Sequence, residues 1–215
     1  MGTGVSLTPL CRYSHQILAD TNRPRGCKLA GTSEGPTPMP RKPRIDFPDA
    51  IHHITARGND RRPIFVDDAD RWVFLQMLEA VCRSHDLAAL AWCLMGNHIH
   101  LVLRSRQAGL SRAMHQLTAG YVRRYNARHR RFGHLFQGRY HSLLVNRDAY
   151  LLEVVRYVLL NPVRADLCHS PADWRWSSAR SALGLRPTPG WADFTILYEL
   201  LGPLDGWPQY ALHGS

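Results

Sequence analysis

The stretch LAALAWCLMGNHIHLVLRS, residues 87–105, decides how the chain is read. Leu87 to Met95 is an apolar run of strand length, Gly96-Asn97 favours a tight hairpin turn, and His98 to Arg104 reads as a second strand. Two neighbouring antiparallel strands follow. Side chains alternate along a strand, so His98 and His100 share one face while Ile99, Leu101 and Leu103 share the other, the core face. Two imidazoles standing side by side suit one divalent ion. A solvated face that merely uses histidine gives the same alternation, because the chain has 12 histidines.

Working outward, Ala50 to Arg57 reads as an earlier strand closed by Gly58-Asn59-Asp60. Asp67 to Asp70 offer N-caps for a helix whose apolar residues Phe74, Leu75, Leu78, Val81 and Cys82 recur at helical spacing. After the hairpin, Leu110, Met114, Leu117, Tyr121 and Tyr125 predict a second helix to about Arg131. Tyr121 and Tyr125 lie on its apolar side, whereas Tyr140 in the following ribbon suits packing and base stacking equally. A third helix is expected from a cap near Asn146 or Asp148 to a stop at Pro162. Its apolar face is Leu151, Val154, Val155, Val158 and Leu159. Glu153, Tyr157 and Asn161 form a separate stripe, which puts Tyr157 off the buried face. The order strand, helix, two strands, helix, ribbon, helix predicts an α+β fold: a central antiparallel sheet with flanking helices, of the split β-α-β, ferredoxin-like type.

The chain has 215 residues, 45% of them hydrophobic, enough for one generous domain. Residues 1–38 are rich in Gly, Pro, Thr and Ser and read as a flexible arm, residues 39–183 as the patterned domain, and 184–215 as a tail without assigned role. No apolar run reaches membrane length and the start lacks a secretory signal, so a cytoplasmic protein without a membrane partner is expected. Five cysteines, none within four residues of another, exclude a zinc finger by spacing and fit reduced thiols. Against 17 acids stand 27 bases, a net charge of +10 that favours polyanions. All the bases but Lys28 and Lys42 are arginine, a bias that a GC-rich genome also produces. No carboxylate occurs between Asp86 and Asp148, while arginines crowd that gap, an electrostatic footprint for nucleic acid.

GNHIHLVL (96–103) resembles the HUH motif of single-tyrosine DNA transposases, and the REP-associated tyrosine transposases are similar over about Pro40 to Leu183. PRIDFPDAIHHITARGNDRRPIF (43–65), FGHLFQGRYHS (132–142), RYVLLNPVRADL (156–167) and DWRWSSA (173–179) carry the resemblance in the same order. It implies that His98 and His100 are the HUH pair, that Tyr157 is the nucleophile and that Asn161 is a third metal ligand. The position before a proline leaves Asn161 at a helix end. The implied cofactor is Mg²⁺ or Mn²⁺, and the implied chemistry is nicking and rejoining of single-stranded, hairpin-bearing DNA through a 5′-phosphotyrosine, in transposition or on genomic repeats. Glu153 is a candidate helper. Asn59, Arg61, Arg62, Arg104, Arg123, Arg124, Arg128, Arg130, Arg131 and Arg139 are candidate DNA contacts. Monomer and homodimer stay open, as do two rival readings: a regulator that binds DNA or RNA without cutting, and a metallohydrolase without a covalent intermediate. Such a transposase is expected in the cytoplasm, at the nucleoid.

Overall fold

Strands β1 (Ala50–Arg57), β2 (Leu87–Leu94), β3 (His98–Ser105) and β4 (His141–Leu144) form an antiparallel sheet in the order β2-β3-β1-β4. The computed structural model describes residues 46–146 and 148–201. The arm expected over 1–38, Arg147 and residues 202–215 lie outside them. Strand β3 sits between β1 and β2, so the β1-helix-β2 unit is split by the strand that follows it, the ferredoxin-like arrangement expected from the element order. Gly96 and Asn97 make the turn, across which the Met95 amide donates to the His98 carbonyl at 2.9 Å.

Helices α1 (Asp68–Ser84) and α2 (Leu110–Arg128) pack together and cover the face bearing Ile99, Leu101 and Leu103. Asp67 caps α1, its carboxylate accepting from the Asp70 amide at 3.1 Å. Helix α2 follows Gly109, which has no side chain to cap it, and Asp46 supplies the cap: Oδ2 accepts from the Gly109 and Leu110 amides at 2.8 and 2.9 Å. Between these helices and the sheet, Phe74 and Tyr121 meet edge to face at 5.1 Å, and the Tyr121 hydroxyl donates to the Ile64 carbonyl at 2.6 Å. Tyr125 and Tyr140 are buried too, so Tyr140 packs, with its hydroxyl 3.4 Å from Ser111 Oγ.

Three expectations need correction. Helix α2 ends at Arg128, three residues early, because Arg130 adopts a left-handed φ of 50° and the Arg131 amide turns back to the Asn126 carbonyl at 2.9 Å. Helix α3 (Asp148–Arg164) does not stop at Pro162. Pro162 sits in the last turn and removes one amide, while Ala165 donates to the Asn161 carbonyl and Leu167 to the Pro162 carbonyl; the left-handed residue that ends the helix is Asp166, at φ 54°. Asn161 therefore stays helical. The third correction concerns Tyr157, which is buried. Helix α3 lies over the histidine face of the sheet, so that face is covered rather than solvated, and a second side of the helix faces inward beside the aliphatic one.

The chain after α3 runs along the free edge of β2. The Leu94 amide donates to the Trp176 carbonyl and the Ser178 amide to the Trp92 carbonyl, at 2.9 and 3.0 Å. Farther along, Ala89 donates to the Trp191 carbonyl and accepts from the Asp193 amide, at 3.1 and 3.0 Å. Short helices α4 (Ala179–Ala182) and α5 (Thr195–Leu201) complete this layer, with Trp191, Phe194 and Leu197 buried.

Candidate active site

The register of the sheet builds the site. Pairing of β1 with β3 sets Arg57 opposite His98, Thr55 opposite His100 and His53 opposite Val102, so His53, Arg57, His98 and His100 share one face. Helix α3 lays Tyr157, Asn161 and Arg164 over that face. The Tyr157 ring centroid lies 5.5 Å from that of His100 and 6.0 Å from that of His53, edge-on to both. His53 and His100 stack at 5.4 Å, with His53 Nε2 3.2 Å from His100 Nδ1. Asn161 donates from Nδ2 to the Tyr157 carbonyl at 2.9 Å. The Arg164 guanidinium stands 5.3 Å from the centre of the Tyr157 ring.

Burial sets the charge states. It pushes His53 down to about 3, with His141 adding repulsion, and His98 down to about 4, with Arg57 adding to the effect and Asn161 opposing it. His100 falls well below its ordinary value through burial and through His53, His98 and Arg57. All three imidazoles are thus neutral at ordinary pH, the form that ligates metals. Burial raises the Tyr157 phenol, while Asn161, Arg164 and Arg57 pull it back. Among the described residues no group of three or more His, Cys, Asp or Glu side chains is placed to share a metal. The donors available here are two neutral imidazoles and the Asn161 amide, a nitrogen-oxygen set that fits a borderline or hard divalent ion.

The structure therefore brings His98, His100, Tyr157 and Asn161 together within one chain. Glu153 is half-buried on α3. The arginines divide. Arg104 pairs with Asp49 at 2.8 Å, and Arg128 is held by Asp67 at 2.6 Å and Asp70 at 2.5 Å, so both are engaged from outside the carboxylate-free segment. Arg131 lies over the Tyr125 ring at 5.9 Å. Arg123, Arg124, Arg130 and Arg139 are exposed and pair with no described carboxylate. Arg61 and Arg62 are exposed at the 3-10 turn Asn59–Arg61, and the Asn59 amide donates to the Leu135 carbonyl at 2.8 Å. Sequence reasoning did not single out His53, Arg57 or Arg164. Alternation along β1 carried a signal for the first two, readable only with the partner strand known.

A family model described as "Transposase IS200 like" matches residues 47–160. The chain belongs to the IS200-like transposase family. The matched span of this transposase runs from just before β1 into α3, containing His98, His100 and Tyr157 and ending one residue before Asn161. No curated protein matches the chain. Among solved structures, it is similar to a REP-associated tyrosine transposase bound to a REP hairpin, with TM-score 0.58 and 16% identity over 74% of this chain and 96% of that one. A putative transposase from Deinococcus radiodurans R1 aligns with TM-score 0.39 and 20% identity over 52% of this chain and 90% of that one. The first likeness speaks for the fold: an α+β chain with a four-stranded antiparallel sheet and flanking helices. Among the described residues, no helix is long and apolar enough to cross a membrane.

Proposed function

We propose that this transposase nicks and rejoins single-stranded, hairpin-bearing DNA with Tyr157 as nucleophile, on genomic DNA at the nucleoid. The observation that carries the reading is the packing of the Tyr157 ring at 5.5 Å from His100 in the same chain, with Asn161 one turn farther along the same helix. The solved relative bound to a REP hairpin supports the substrate class. His98, His100 and Asn161 would hold a divalent ion, Mg²⁺ or Mn²⁺, which when bound supplies a Lewis acid for the scissile phosphate. The phenol of Tyr157 gives up its proton and its oxygen bonds to phosphorus; the bond from phosphorus to the 3′ oxygen breaks, and that oxygen gains a proton. The products are a 5′-phosphotyrosine and a free 3′-hydroxyl. The reverse attack by a 3′-hydroxyl rejoins the strand without ATP, because the phosphodiester energy is kept in the protein linkage. Arg57 and Arg164 offset charge at the reacting phosphate and phenolate. Residues 39–183 would carry this chemistry, with Glu153 as helper and Asn59, Arg61, Arg62, Arg123, Arg124, Arg130 and Arg139 as the DNA track.

The test is incubation of the full chain and Mn²⁺ with a labelled single strand carrying a hairpin, followed by denaturing gel. Wild type is expected to form a protein-linked product and Tyr157→Phe none. An adduct of equal yield in the variant would overturn the assignment. Nicking without any protein-linked product would favour water as the nucleophile.

A further inference from the structure

The side chain of Asn97, in the turn between β2 and β3, is anchored at both ends. Its Nδ2 lies 2.9 Å from the Arg61 carbonyl oxygen, a group that only accepts, so this end of the amide must be the nitrogen. The other end is then the oxygen, and it lies 2.7 Å from His98 Nδ1. An amide oxygen cannot donate. A neutral His98 ring that keeps this bond carries its hydrogen on Nδ1, which leaves the lone pair on Nε2.

The loop that provides the Arg61 carbonyl is itself fixed. Its residues Asp60 and Arg61 both take left-handed φ, 52° and 59°, which bends the chain back on the turn. The Gly58 amide donates to the Asn97 carbonyl at 2.8 Å and the Ile64 amide to the Gly96 carbonyl at 3.0 Å. At Gly58 the chain folds so closely that a Cβ would lie 2.1 Å from the Arg62 carbonyl oxygen. The Asn97 amide is therefore held by a rigid frame rather than by solvent.

We infer that Asn97 is a positioning residue that fixes His98 in the Nδ1–H tautomer, presenting Nε2 to a divalent cation, and that it ties this histidine to the loop bearing Arg61 and Arg62. The inference rests on the proposed role of His98 as a ligand. Metal-binding histidines depend on such a partner at the other ring nitrogen, and its loss costs roughly 10–100-fold in metal affinity.

The tautomer is read on the full, metal-free chain labelled with ¹⁵N in histidine, by long-range ¹H–¹⁵N correlation of the ring nitrogens. Wild type is expected to show His98 with its hydrogen on Nδ1. Asn97→Ala should shift the ring toward Nε2–H, while Asn97→Asp, which keeps an acceptor, should retain Nδ1–H; unchanged His53 and His100 signals report an intact site. Titration with Mn²⁺ should then show Asn97→Ala binding roughly 10–100-fold more weakly than wild type. Wild-type His98 with its hydrogen on Nε2, or an Asn97→Ala chain with wild-type tautomer and affinity, would overturn the inference. A wild-type chain that binds no Mn²⁺ sinks the metal reading itself, whereas the tautomer result stands or falls without metal.

Discussion

Tyr157 is a buried phenol with arginines close by. Arg164 stands over its ring at 5.3 Å, and both Arg164 and Arg57 oppose the upward push of burial on the phenol. Arg164 is exposed, and a cation over a ring at such a position contributes about 0.5–1 kcal/mol. Arg164→Ala should therefore slow adduct formation about two- to fivefold, with Arg164→Lys in between. Single-turnover kinetics measure this, and a wild-type rate in Arg164→Ala would leave the arginine no part in the chemistry. The same scale shows what sequence could and could not reveal. His98 and His100 were legible because two residues apart on one strand means one face. His53 was not, since the adjacent pair His52-His53 sends one ring to each face and only the register with β3 says which ring meets His100. Asn161 and Tyr157 share a stripe by helical spacing, but that the stripe faces inward depends on the sheet beneath it.

At the scale of elements, apolar spacing located all three long helices and misplaced two of their ends. Both ends are set by non-glycine residues in left-handed conformation, Arg130 and Asp166, and neither carries the glycine that would mark such a cap in sequence. Pro162, the visible stop signal, costs one hydrogen bond in a last turn that is closed by other donors. Replacing Asp166 with glycine removes the steric penalty of the left-handed position and should stabilise the chain by about 0.5 kcal/mol. Thermal unfolding tests this, with adduct formation unchanged because Asp166 is exposed beyond the helix. A fall in melting temperature would show that the aspartate side chain does more than tolerate the conformation.

For the whole molecule, the +10 charge is only partly free to meet the proposed DNA. Carboxylates from outside the acid-free segment reach in to neutralise some of its arginines: Asp49 takes Arg104, Asp67 and Asp70 take Arg128, and Asp193 takes Arg106 at 3.5 Å. These pairs join residues far apart in the chain, so no local pattern could announce them. Neutralising Arg123, Arg124 and Arg130 together should weaken binding to a single strand and reduce its log-log salt slope by about two, at roughly 0.7 per phosphate contact. Neutralising Arg128 should leave that slope unchanged; equal effects would mean that its ion pairs open on binding. The layer after α3 makes a different prediction. Ending the chain at Leu183 removes Trp191, Phe194 and Leu197 and bares the Ala89 amide and carbonyl, so the truncated protein should melt lower and associate with concentration in light scattering. A stable monomer would show the layer dispensable. Because the residues that close the strand edge are made after β2 itself, every nascent chain exposes β2 with that side still open until they emerge. For that interval the growing polypeptide can pair with its neighbours on a crowded polysome, and emergence of the covering segment ends the risk.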